Sequence, residues 1–337
     1  MSIGLDLGSK TIKIVELEKE GAGFKLSSSG VIGYTGNPLS QIKDDKEMAG
    51  LAEAIRKLAK EAKISSREIS LALPESLVFT RTIRFPPLTD REIAAAVKWE
   101  AEQYIPIPLN EAIIEHQVVE RMEGGIKPGV AVLLVASPKA LVEKYIKVIQ
   151  AAGFTVVGIE TEALALARAL APSQGVAMLV DFGAASTSMV IVKNGMVAFS
   201  RSIPIAGEAF TRALSQGLGI AHQQAEEYKK TYGLSKELEG KVKATLDPVF
   251  NLVIDEIKKA IHFYQSEEKG EPPTALIVSG GTSTMPEAIS KLSDLLGLEV
   301  VVGNPFIKVK VSPDAAKNLQ NYAPLYSVAV GLALRGD

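Results

Sequence analysis

Apolar and polar positions fall into the same unit twice along the chain. Residues 2–6 (SIGLD) form a short apolar run that ends in Asp6, and Leu7-Gly8-Ser9-Lys10 makes a small turn. A second strand over residues 11–18 follows, and the turn Gly21-Ala22-Gly23 leads into a third over residues 25–34. Near residue 176 the unit returns. Residues 176–181 are again an apolar run closed by an aspartate, Phe182-Gly183-Ala184-Ala185 turns, and residues 186–193 continue as a strand. Asn194-Gly195, a strong two-residue hairpin signal, brings residues 196–205 back against it. With Asp6 and Asp181 in matching places, the pattern predicts a duplicated α/β architecture rather than one continuous sheet.

Helical spacing dominates elsewhere. Residues 44–63 carry Met48, Leu51, Ala52, Ile55, Leu58, Ala59 and Ala62 on one face, with charges opposite. Residues 67–136 read as an inserted α/β module with strands at 68–73, 77–85, 112–121 and 130–136. Its helix, 89–104, opens with the capping-box spacing Thr89/Glu92. Ser137-Pro138 is expected to open a helix to 152, and another spans 162–170. The second half predicts helices at 208–218, 222–231 and 236–266, the last broken or kinked at Pro248. A buried strand at 274–279 and Gly280-Gly281 precede a helix over 285–296, capped by Ser283 or Thr284. The last helix, 324–334, has Ala329, Gly331 and Ala333, small enough for close packing against a neighbour. The expected division is a first lobe (1–66, 137–170 and 321–337), the inserted module (67–136), a second lobe (171–207 and 270–320) and a helical subdomain (208–269).

Composition narrows the function. The 337 residues are 47% hydrophobic and 23% charged with a formal net charge of −2, the balance of a globular protein with room for two cores. No basic stripe with interleaved aromatics suggests a nucleic-acid surface. The chain has no cysteine, which removes disulfides and thiolate chemistry and fits a reducing compartment. No apolar run approaches the roughly 20 residues that span a bilayer. The start does not read as a signal peptide, and no basic amphipathic tail precedes Asp337. A cytoplasmic location is the expectation.

The candidate chemistry lies in the turns. A triphosphate needs backbone N–H donors in a tight loop that glycine lets come close, and its magnesium needs hard oxygens that carboxylates supply through water. Asp6 and Asp181 are the candidate magnesium holders. Gly8, Ser9, Lys10, Thr11 and Lys13 of the first turn, and Gly183, Ala184, Ala185 and Ser186 of the second, are candidate phosphate contacts. Either turn alone is most simply an aspartate-capped hairpin; the pair, with two further elements, points to a cleft. One element is Gly280, Gly281 and Thr282, after an apolar strand and before a helix, which suits an adenosine. The other is Glu226 and Lys229, three apart on one helix face, within reach of ribose hydroxyls and a base edge. Neither a Walker loop nor a Gly-x-Gly-x-x-Gly fingerprint is present, and His116, His222 and His262 lack metal-ligand spacing.

These motifs, in this order, resemble the actin, sugar kinase and DnaK-type chaperone superfamily. Residues 6–9 are similar to its first phosphate motif, 158–170 to its first connection, 181–183 to its second phosphate motif, 277–282 to its adenosine motif and 326–331 to its second connection. The resemblance implies a ribonuclease H-like, duplicated actin-like fold, a site for ATP and Mg2+, and a catalytic set of Asp6, Asp181 and Glu162. Glu162 would orient the attacking water, with Glu160 as the fallback. Within the superfamily, residues 99–109 (WEAEQYIPIPL), 203–208 (IPIAGE, with Gly207) and 303–306 (GNPF) are similar to the type IV pilus assembly PilM family, cousins of the cell-division FtsA family. That resemblance implies an FtsA-type inserted subdomain. It also implies an adaptor that captures the N-terminal cytoplasmic tail of a PilN-like inner-membrane protein and is thereby recruited to the inner face of that membrane. The tail would lie in a groove walled by residues 89–108.

Ala184, Ala185 and Ser186 depart from the Gly-Gly-Thr that follows Asp-x-Gly in active relatives, and Ser188 stands where an acidic residue is frequent. The expectation is therefore nucleotide binding with slow or no hydrolysis. The alternatives are a small-molecule kinase of the same fold or a filament-forming cytoskeletal ATPase.

Overall fold

The structure, a computed structural model, describes residues 1–122 and 128–336, with the side chain of Met122 also outside that set. Residues 123–127 of the expected inserted module and the terminal Asp337 lie outside the described residues.

Three sheets organise the molecule. The first contains β1 (Ser2–Leu7), β2 (Thr11–Glu20), β3 (Gly23–Gly33), β4 (Glu68–Leu73), β8 (Thr155–Thr161) and β14 (Val309–Lys310), in the order β14-β3-β2-β1-β4-β8. The second contains β9 (Val176–Phe182), β10 (Thr187–Lys193), β11 (Met196–Ile203), β12 (Ala275–Ser279) and β13 (Glu299–Val302), in the order β11-β10-β9-β12-β13. In both, three antiparallel hairpin strands are followed by two parallel ones, so the duplication read from the turns is visible as topology. A third sheet joins β5 (Phe79–Phe85), β7 (Gly129–Pro138) and β6 (Ala112–Met122) in that order.

Among the described residues ten helices cover these sheets: α1 (Asp45–Glu61), α2 (Asp90–Tyr104), α3 (Lys139–Ala151), α4 (Glu162–Leu170), α5 (Gly207–Leu218), α6 (His222–Thr231), α7 (Lys241–Ser266), α8 (Ala288–Leu296), α9 (Pro313–Leu319) and α10 (Ser327–Ala333). The apolar stripe of α1 packs with β1, β2 and β4 in the first core. Residues from β9, β10 and α5 to α8 make the second. The cap of α2 is the full box foreseen, with Thr89 accepting from the Glu92 amide and Glu92 reaching back, while Ile93, Val97 and Ala101 face the third sheet.

Several expectations need correction. β4 is buried along almost its whole length and pairs in parallel with β1 and β8, so it belongs to the first sheet and the inserted module has three strands. Residues 309–310 pair with β3, and Phe306, Val309 and Leu319 pack against the first lobe, although 270–320 was assigned to the second. The strand β7 runs through Ser137 to Pro138, which precedes α3 instead of entering it. α7 passes through Pro248 as one helix, because Leu246, Phe250, Val253 and Ile254 bury its apolar face on both sides of the missing N–H. Ser283 and Thr284 sit in a 3-10 turn, not at a cap. The Pro286 carbonyl is held by the Leu234 amide at 2.9 Å, and α8 starts only after Glu287, at φ +61°. The strands β8 and β13 and the helix α9 were not foreseen.

The two lobes meet on α4 and α10. Here small residues do what their spacing promised: a β-carbon at Gly331 would overlap the Ala165 carbonyl, and one at Gly4 would overlap the Ala329 carbonyl. α4 also packs on β10 and β11, so the helix that carries Glu162 is the joint between the halves.

Candidate functional site

The antiparallel register of β1 and β2 sets Asp6 opposite Lys13, seven residues on, and β9 and β10 set Asp181 opposite Ser188 at the same offset. Lys13 Nζ donates to Asp6 Oδ2 at 2.9 Å, and both side chains are about one-tenth exposed. Gly8 lets the first turn close over this pair, since a β-carbon there would stand 3.0 Å from Lys13 Nζ and 2.9 Å from the Thr11 carbonyl oxygen. In the second turn the Gly183 amide donates to the Ser186 carbonyl at 3.1 Å. The Gly183 and Ala184 carbonyls accept from the Gly207 and Glu208 amides, tying the turn to the start of α5. Gly280, at φ +82°, packs so tightly on the Phe182 carbonyl that no β-carbon fits. The adjacent Ser279 hydroxyl donates to Asp181 Oδ1 at 2.6 Å.

Glu162 opens α4 after the Thr161 cap, and its Oε2 accepts from the Glu75 amide at 3.2 Å. Burial, with Asp6 and Asp181 adding like charge, pushes its carboxyl up to about 8. Burial also raises Asp181, against the pull of Ser279 and Lys13. For Lys13, burial works to lower the pKa, but Asp6, Asp181 and Glu162 outweigh it and hold the ammonium above its ordinary value. Asp6, Lys13, Glu162 and Asp181 therefore share one buried electrostatic field, with three carboxyl groups around one ammonium. Glu160, the fallback, is paired with Arg168, which also donates to the Gly331 carbonyl, so Glu160 braces the α4–α10 joint.

Glu226 and Lys229 lie on α6, facing the start of α5. Lys229 Nζ donates to Glu226 Oε2 at 2.6 Å, Thr211 Oγ1 at 2.9 Å and the Gly207 carbonyl at 3.1 Å. A β-carbon at Gly207 would meet Thr282 Oγ1, the Gly183 carbonyl and Lys229 Nζ, all within 3.4 Å, so these residues converge. Burial opposes ionisation of Glu226, but hydrogen bonds from Lys229 and Thr211 hold it down to about 2. Burial lowers Lys229 although Glu226 counters it. At the outer edge, Ser9, Ser186 and Thr11 are half-buried, and Ala185 and Gly281 are exposed. Lys10, also exposed, reaches Glu208 of the other lobe at 3.7 Å.

Sequence reading missed Ser279, Thr211, Glu208 and Tyr145. Ser279 ends the strand already singled out, and its parallel register with Asp181 gives it its role. Tyr145 lies buried on α3 with its hydroxyl pushed up by burial and by Glu162 and Asp6, and no sequence signal marks it.

The arrangement fits a magnesium nucleotide. Its excess of buried carboxyl groups over cations would be offset by a divalent ion, and glycines line both turns. Among the described residues no three His, Cys, Asp or Glu side chains form a group that could hold a metal ion by themselves.

On the inserted module, Trp99 is 64% exposed, and Tyr104 is exposed beneath the Arg81 guanidinium, which lies 3.8 Å from its ring centre. Ile105, Ile107 and Leu109 are half-buried between exposed Pro106 and Pro108.

Comparison with known proteins places the fold and the family. The chain is similar to a solved PilM-PilN type IV pilus biogenesis complex, with a TM-score of 0.85 and 28% identity over 99% of this chain and 98% of that one. It shares its fold with MreB5 of Spiroplasma citri bound to AMPPNP, at a TM-score of 0.54 and 16% identity over 98% and 93% of the two chains. It is 25% identical to cell division protein FtsA of Pseudomonas aeruginosa over 279 residues, which is 70% of this chain but 64% of that protein's length. The fold is thus the actin-like ATPase fold, with a three-stranded inserted subdomain. A model of the family described as type IV pilus assembly protein PilM matches residues 4–337, and the chain belongs to that family.

Proposed function

We propose that this protein is an ATP-binding adaptor of type IV pilus assembly, which holds Mg-ATP between its lobes and docks the N-terminal cytoplasmic tail of a PilN-like inner-membrane protein on its inserted module. The observation that carries the nucleotide reading is the buried set of Asp6, Lys13, Glu162 and Asp181 beneath two glycine turns. In it, Lys13 and the amides of the turns beginning at Gly8 and Gly183 receive phosphates, Asp6 and Asp181 hold hydrated Mg2+, and Gly280, Gly281, Thr282, Glu226 and Lys229 take the nucleoside. The ion would supply charge neutralisation at the β- and γ-phosphates. Ala184 and Ala185, standing where active relatives have glycines, support slow or absent hydrolysis.

The tail reading is supported by the likeness to the PilM-PilN complex and by the exposed Trp99 and Tyr104 beside residues 105–109. It places the protein in the cytoplasm, at the inner face of the membrane through its partner. Among the described residues no helix is long and apolar enough to cross a membrane.

Calorimetric titration with ATP and Mg2+ tests the nucleotide reading. Binding is expected in the wild type and is expected to weaken at least about tenfold in both Asp6→Ala and Asp181→Ala, a difference of about 1.4 kcal/mol or more. No heat from folded, nucleotide-free wild type would refute it.

A further inference from the structure

The first lobe, the inserted module and the second lobe meet at one buried side chain that the nucleotide reading leaves unused. Glu75 begins the short 3-10 turn Glu75–Leu77 that carries the chain from β4 into β5, and it is 6% exposed. Its backbone N–H donates to Glu162 Oε2, so the turn that enters the inserted module also holds the cleft carboxyl. Its own carboxyl reaches the other way, where Ser200 Oγ, on β11 of the second lobe, donates to Oε1. Glu75 Oε2 and Thr80 Oγ1 of β5 are both buried without a partner at full hydrogen-bond geometry, although the Thr80 and Thr161 hydroxyls and the Ala163 amide stand near enough to steady the ionised carboxyl. Two residues further along, Thr82 Oγ1 donates to the Ala198 carbonyl at 2.6 Å. β5 and β11 therefore lie side by side, joined by side chains and not by a backbone ladder.

We infer that Glu75 is a positioning residue that fixes Glu162 and joins the nucleotide cleft to the seam between the inserted module and the second lobe. The physical reason is that a buried acceptor cannot lose its donor cheaply. If the lobes shift, Ser200 must withdraw from Oε1 or draw the Glu75 turn with it, so that Ser200 held and Ser200 withdrawn are two arrangements of the one seam. Two discrete arrangements joined to Glu162 give the cleft a means of altering β5, on which the inserted module hangs. The inference rests on nucleotide binding in the cleft.

The test is hydrogen exchange of the Leu77 and β5 amides with and without Mg-ATP, with occupancy verified by calorimetry on the same samples. Wild type, Glu75→Gln, Glu75→Ala and Ser200→Ala are compared. ATP is expected to slow exchange about fivefold or more in the wild type. The same slowing is expected in Glu75→Gln, whose amide oxygen still accepts from Ser200. The two alanine variants are expected to bind ATP and lose the slowing. A purely structural Glu75 would lower the melting temperature of these variants but leave the ATP-dependent slowing intact, which would overturn the inference. So would a wild type that binds ATP with no change in β5. A wild type that binds no ATP would overturn the nucleotide reading and this inference with it. Ser200→Ala, which removes a single hydroxyl, carries the test if Glu75→Ala does not fold.

Discussion

Glu162 starts α4 half-buried, coupled to the charges of Asp6 and Asp181 and with its carboxyl against the Glu75 amide. Its proton has a consequence for stability. Between the ordinary carboxyl pKa and about 8, the folded chain holds a proton that the unfolded chain has released. Stability must therefore fall as pH climbs through that window, and the loss levels off above it. Glu162→Gln keeps the shape and removes the titration. Melting temperatures compared from pH 5 to pH 8.5 should show the variant gaining on the wild type as pH rises. A gap that does not change with pH would mean that the carboxyl ionises like an exposed one. Asp6, Asp181 and the glycines were legible because a residue type at a repeated spacing carries them. Ser279, Thr211 and Tyr145 were not, because each acts only through a neighbour brought from far along the chain.

Helix α10 meets α4 where Gly331 faces Ala165, and it meets β1 where Ala329 faces Gly4. Small residues at that spacing were readable as a packing face, but their partner was not. A methyl group at Gly331 has no room against backbone, so Gly331→Ala is expected to destabilise by about 1–3 kcal/mol, seen as a lowered urea midpoint. An unchanged midpoint would mean that the helices separate without cost. Elements failed to read for equally local reasons. β8 has Gly158 at its centre and a threonine at each end, and β13 is only four residues long, so neither yields a clear period of two. α7 read as broken because Pro248 weighs heavily on local propensity, which a buried apolar face on both sides overrides.

Across the whole molecule, two halves of one topology close on the joint helices, and the inserted module stands against both through Glu75 and β5. Its exposed aromatic surface lies apart from the residues that build the cleft, so the two activities should separate by mutation. Trp99→Ala is expected to weaken binding of a synthetic N-terminal PilN peptide about tenfold or more, as loss of an aromatic anchor does, with melting temperature and ATP affinity unchanged. Equal peptide affinity in fluorescence anisotropy would move the docking surface elsewhere.

What the sequence determined by itself is the duplicated plan: two aspartate-closed strands with glycine turns, the amphipathic helices, the capping box of α2 and the candidate residues of the cleft. These are local, because periodicity, turn chemistry and short spacing act within a few residues. Tertiary structure alone decided that β4 lies in the first sheet, between β1 and β8, and that residues 309–310 return to it. It also decided that Glu160 braces a joint while Glu162 faces the cleft, and that Glu75 touches three parts of the molecule at once. Sheet order and the burial of a charge depend on contacts between residues scores of positions apart, and no local pattern encodes them.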